Sequence, residues 1–145
     1  FKSQKEVQRF IEEQCLKTIV GFLNTKGGTL IIGVHEKNQK NDLIGIGREG
    51  FESNDHYERH INQQIQNRIG RSFLSDQINI EFLNQDGKYF CKVNVEEYIP
   101  SGNDLPALLD DKKCFRRSGP RTDDLTPIEL AKFSLERNKS KPIDE

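Results

Sequence analysis

Residues 24–36 read NTKGGTLIIGVHE. Gly27 and Gly28 separate a polar turn from the run Leu30, Ile31, Ile32, and Gly33 interrupts that run just before it turns charged. Glycine takes the left-handed conformation that ends helices, and it lets backbone come close to a neighbour. The stretch therefore reads in one of two ways. It is a tight helix-to-strand turn, or it is backbone that must approach a phosphate. Residues 29–35 predict a strand, and their consecutive large apolar side chains fit one covered on both faces.

The chain on either side extends this reading. Upstream, Val7, Phe10, Ile11, Cys15, Ile19 and Phe22 recur at three- and four-residue steps, which predicts a helix with one apolar face. Asn24 and the Gly27–Gly28 pair stop it. Downstream, HEKNQKND (35–42) reads as a polar loop and LIGIG (43–47) as a second strand, paired with the first in a hairpin. Ser53 or Asn54 caps a second helix in which Tyr57, Ile61, Ile65 and Ile69 repeat every four residues, and Gly70 ends it. QINIEFLNQ (77–85) and YFCKVNVEEY (89–98) alternate as strands around an Asp-Gly hairpin turn. ALLDDKKCFRRSG (107–119) predicts two short strands around Asp110–Lys113. RTDD (121–124) reads as a loop into a last helix, with Thr126 the N-cap, Pro127 the first helical residue and Glu129 the capping-box partner. The order is helix, hairpin, helix, hairpin, hairpin, helix. That is an α+β chain, a mixed or antiparallel sheet with helices packed on it. One domain is expected over 1–138, followed by a polar tail over 139–145.

At 145 residues the chain has room for one core, and its 33% hydrophobic content is clustered rather than diluted. The formal net charge of -1 argues against a wholly basic nucleic-acid binder but leaves room for a local basic patch. Cys15, Cys91 and Cys114 form no close pair, which predicts reduced thiols and a cytoplasmic setting. No stretch is long enough to span a membrane as a helix, and no secretory signal is visible. The sequence has no Met, so Phe1 is not a translation start and the chain is expected to be a piece of a longer protein.

FLNTKGG, TLIIGV, a charged loop and LIGIG together resemble the Schlafen-type AlbA domain, a family described as DNA-binding. Phe22, Asn24, Thr25, Gly27, Gly28, Gly33, Val34, Gly45 and Gly47 fit its pattern. CFRRSGPRTDDLTPIEL (114–130) is similar to the family's strand ending in Arg and Gly, followed by a Thr-containing loop into a helix. Phe1 and Lys2 resemble the end of its Glu-Phe-Lys segment. The resemblance implies an Alba-like α+β fold, nucleic-acid binding and an openness to homodimers. It also implies a second activity, because similar domains in animal Schlafen proteins cleave RNA. There, acidic residues before the first helix and after the Ile-Gly-Val strand hold a divalent metal. Here that second position is His35 followed by Glu36, where an acidic pair is more typical. A nuclease would use Mg²⁺ or Mn²⁺ at Glu36, with His35 beside it. Otherwise no cofactor is expected.

The candidate site residues divide by chemistry. Asn24, Thr25, Gly27, Gly28 and Gly33 form the turn. It follows a helix, where carbonyls dominate, and a phosphate cradle normally precedes one, so the structural role is favoured. Arg116, Arg117 and Arg121 suit phosphate through their forked guanidinium groups, and Lys26 joins them if the two loops are neighbours. Adjacent strand positions face opposite ways, so at most one of Arg116 and Arg117 serves a given groove. The competing reading is a solvated turn balanced by Asp110, Asp111, Asp123 and Asp124. Phe115 is placed in the core in preference to stacking on a base. Glu6, Glu12 and Glu13 on the first helix offer carboxylates for a metal, and His56 and His60 share a helix face. A protein-interaction domain is the third reading.

Overall fold

The computed structural model describes residues 4–32, 34–37, 40–43, 54–85, 88–102 and 104–139. The first helix, α1, spans Gln4–Leu23. Its buried face is Leu16, Ile19, Val20 and Leu23, spaced at three, four and seven residues. The predicted stripe shifts here: Phe10 and Ile11 are exposed, because sheet and hairpin cover only the second half of the helix.

The turn then delivers β1 (Gly28–Ile32) to the edge of a three-stranded antiparallel sheet ordered β1–β5–β4, with β4 Ile78–Gln85 and β5 Lys88–Val95. The register sets Leu30 opposite Val93 and Val93 opposite Ile80, and sets Ile32, Cys91 and Phe82 in the next inward row. These rows pack on Leu16, Ile19, Ile61, Ile65 and Ile69 in the main core. The expectation of a strand covered on both faces fails for β1. Thr29 is exposed and Ile31 is 49% exposed, because an edge strand of one layer has only one buried face.

The charged segment after β1 is not a loop. Val34–Lys37 (β2) and Lys40–Leu43 (β3) pair with each other, His35 opposite Asp42, in a hairpin of their own. A short connection closes an antiparallel pair by local geometry, without the hydrophobic alternation that strand prediction reads. The predicted pairing of 29–35 with LIGIG is met where it can be seen, at Val34 opposite Leu43, and the hairpin reaches on into the segment read as a loop; residues 44–47 and Gly33 lie outside the described residues.

Helix α2 (Asn54–Arg68) buries Ile61, Ile65 and, just past its end, Ile69, as its period requires. A short helix, α3 (Arg71–Asp76), follows, too brief to show a period in sequence. After β5 the chain runs through a loop to an isolated bridge between Leu109 and Lys113. Asp110 and Asp111 turn the chain there with φ of 54° and 58°, a left-handed region that Asp tolerates better than most residues. The predicted strand pair around this turn reduces to that bridge. Phe115–Ser118 (β6) instead pairs with Arg121–Asp124 (β7), so RTDD is a strand and not a loop. Gly119, with φ 61°, supplies the left-handed residue at the tip. Last comes α4 (Pro127–Lys139), closed as predicted: Thr126 N–H donates to Glu129 Oε1 at 2.9 Å, and Glu129 N–H to Thr126 Oγ1 at 3.2 Å. Phe133 on α4 packs with Cys114 and Leu125 in a second, smaller core.

Candidate nucleic-acid interface

The turn at the end of α1 is bound from several sides. Thr25 and Gly27 N–H groups both donate to the Phe22 carbonyl, at 3.2 and 2.9 Å, and Thr25 Oγ1 donates to the Gly21 carbonyl at 2.5 Å. Gly27 sits at φ 77°, and a Cβ there would lie 2.4 Å from the Val95 carbonyl oxygen. A Cβ on Gly28 would lie 2.5 Å from the Phe22 ring. Asn24 points inward and is fully buried. Its amide nitrogen donates to the carbonyls of Ala107 (3.0 Å) and Phe115 (2.9 Å), and its oxygen accepts from Ala107 N–H at 2.8 Å. The Asn24 side chain is thus spent on backbone of a loop and of β6, with nothing left to face a ligand.

One residue of this assembly is invisible to local sequence reasoning. Arg137 of α4 donates to the Asn24 carbonyl at 2.8 Å, to the Tyr98 carbonyl, and to Glu97 at 3.2 Å. It thereby supplies a cation at the negative end of α1. The two partners are 113 positions apart, so no motif announces the contact.

The hairpin cations separate as alternation demands. Arg117 turns toward α1, its guanidinium carbon 5.1 Å from the centre of the Phe22 ring, and donates to Thr122 Oγ1 at 2.8 Å. Arg116 turns the other way, 5.7 Å from the Phe133 ring. Arg121 is at the hairpin tip, paired with Asp123 at 2.9 Å. Lys26 is exposed, two positions before the glycine whose Cβ would strike Phe22. The glycine turn and Arg117 therefore border the same ring. Lys17, on α1, places its ammonium 5.7 Å from the centre of the Phe115 ring. Phe115 is 2% exposed, which leaves no face for a base.

Two of the carboxylates considered for a metal are otherwise engaged. Glu13 takes a forked pair of bonds from Arg68 at 2.8 and 3.1 Å, and Glu12 lies 2.6 Å from His60 Nε2. Arg68 also holds Asp110, at 2.7 and 3.0 Å. That pairing keeps the Asp110 carboxyl below its ordinary range and raises the Arg68 guanidinium above its own. Among the described residues no three of His, Cys, Asp and Glu come together as a metal-holding group. His35 and Glu36 have backbone positions in β2; their side chains, with those of Glu6 and His56, lie outside the described residues. No helix among the described residues is long and apolar enough to cross a membrane.

Comparison with known proteins adds three findings. A family model described as Schlafen, AlbA_2 matches residues 1–126. No curated protein matches. Among solved structures, the DIP2311 protein from Corynebacterium diphtheriae is similar in fold, with a TM-score of 0.56 and 16% identity over 88% of this chain. The match spans 22% of that protein's length.

Proposed function

The chain belongs to the Schlafen AlbA_2 family, and from that premise we propose that it is a nucleic-acid-binding module, holding DNA or RNA mainly through phosphates. The observation that carries the reading is the placement of Arg117 on the Phe22 ring, beside the turn that bears Lys26. A guanidinium held by a ring and by Thr122 is pre-oriented, so less side-chain freedom is lost when it meets a phosphate. The net charge of -1 makes the site local rather than a property of the whole surface. We place the module in a larger regulatory or defence protein of the cytoplasm, which fits three cysteines that no disulfide engages.

Fluorescence anisotropy with labelled duplex DNA and labelled tRNA tests the reading. Binding that weakens steeply between roughly 50 and 200 mM salt, with a signal stable in Mn²⁺, supports a phosphate-reading module. A signal that decays only in Mn²⁺, and is stable in Glu36→Gln, replaces it with a metal-dependent ribonuclease. No binding of either ligand at low salt overturns it in favour of a protein-interaction domain.

A further inference from the structure

The faces of the β6–β7 hairpin differ in charge balance. On the α4 side Arg116 stands opposite Asp123 in the register, and Arg121 is bonded to Asp123. Glu129 also feels the charge of Arg116. Arg121 thus has a bonded anion, and Arg116 has carboxylates nearby without one bonded to it. On the α1 side, Lys17, Arg117 and Lys26 have no carboxylate bonded to them among the described residues. Lys17 and Arg117 lie on the aromatic rings of Phe115 and Phe22 instead.

Lys17 and Arg117 mark one line, and Lys26 stands in the turn that follows the end of α1. Lys17 meets Phe115 and Arg117 meets Phe22, so α1 and β6 run side by side in the same direction, and these two cations sit along their seam. Gly21, midway, lets helix and hairpin come close: a Cβ there would be 3.4 Å from the Thr122 methyl and 3.5 Å from the Arg117 backbone nitrogen. From Lys17 to the end of α1 at Leu23 is about 9 Å of helix at about 1.5 Å per residue, and the turn with Lys26 begins there. Duplex DNA rises about 3.4 Å per nucleotide along its axis, and phosphates along a strand lie further apart than that, so the seam covers at most about three nucleotide steps. The rings beneath the cations are covered by them, which removes base stacking and leaves backbone contact.

We infer that the seam between α1 and the β6–β7 hairpin is the track of one nucleic-acid strand, with Lys17, Arg117 and Lys26 its phosphate contacts and Arg116 and Arg121 outside it. This rests on the nucleic-acid reading above and gives it a direction, a length and a new residue, Lys17.

The test uses a fluorescein-labelled octathymidylate and the matching octauridylate, titrated with the wild-type chain and with Lys17→Ala, Arg117→Ala, Arg116→Ala and Arg121→Ala. At about 50 mM salt, Lys17→Ala and Arg117→Ala are each expected to weaken binding at least about fivefold and to reduce the salt slope by about one, with Arg116→Ala and Arg121→Ala within about twofold. Equal losses in all four variants, or losses confined to Arg116→Ala and Arg121→Ala, overturn the track. So does wild-type binding to duplex DNA or tRNA without binding to either octanucleotide, an outcome that leaves the nucleic-acid reading standing. Absence of binding to every nucleic acid removes both. Urea midpoints confirm that the variants fold; Lys17→Ala removes nothing from the core and carries the test if Arg117→Ala does not.

Discussion

At the scale of single residues, Asn24 and Gly27 do work that no neighbouring side chain can take over. Replacing Asn24 with alanine leaves the Ala107 N–H and the Phe115 carbonyl buried without their partner. Each such group costs about 1–3 kcal/mol, so Asn24→Ala is expected to lower stability by roughly 3 kcal/mol, read as a lower urea midpoint at an unchanged m-value. The adjacent glycines are expected to differ. At Gly27 a new Cβ meets a backbone oxygen and the φ is left-handed, so Gly27→Ala costs roughly 2 kcal/mol or more. At Gly28 the obstacle is the Phe22 ring, which can swing aside, so Gly28→Ala costs less. Thermal melts of the two variants side by side check that order. The motif NTKGG announced a turn, and its glycines were legible because few other residues fit. The inward aim of Asn24 was not legible, since its partners come from positions 107 and 115.

At the scale of elements, the regular ones were readable and the short polar ones were not. Helices α1, α2 and α4 and the β4–β5 hairpin carry apolar periods long enough to show, and Thr126 with Glu129 marked the start of α4. Strands β2, β3 and β7 are made mostly of charged and polar residues, whose pairing is decided by turn geometry and tertiary placement rather than by alternation. Two element junctions also respond to acid. The Asp110 carboxyl is held below its ordinary range first by hydrogen bonds from Arg68, and the Glu129 carboxyl first by the Thr126 backbone N–H. A carboxyl lowered in the folded state stabilises above its unfolded value, about 4, and that contribution is lost as pH falls through the folded value. Urea midpoints at pH 6 and pH 3 are therefore expected to drop toward acid. The drop is expected to be smaller in Asp110→Asn and in Glu129→Gln than in the wild-type chain.

At the scale of the whole molecule, the thiols are distributed over two cores, Cys91 in the main one and Cys114 in the smaller one. Cys91 and Cys114 are buried, and burial pushes them up to about 12 and about 11 respectively. At pH 8 neither holds appreciable thiolate. Ellman's reagent is expected to modify Cys15 first in the folded protein, and to reach Cys91 and Cys114 only once urea unfolds it. The α+β class and the candidate cations could be read from sequence, but their sorting into two faces required the fold: alternation said that Arg116 and Arg117 part, and only Phe22 and Phe133 say which way each goes. The grip of Arg137 on the carbonyls of Asn24 and Tyr98 has a mechanical side. Helix α4 is a lever, and one of its load points is the far end of α1. Tension applied at the end of α4 would be shared between the end of α1 and the segment that follows β5, since Arg137 grips both.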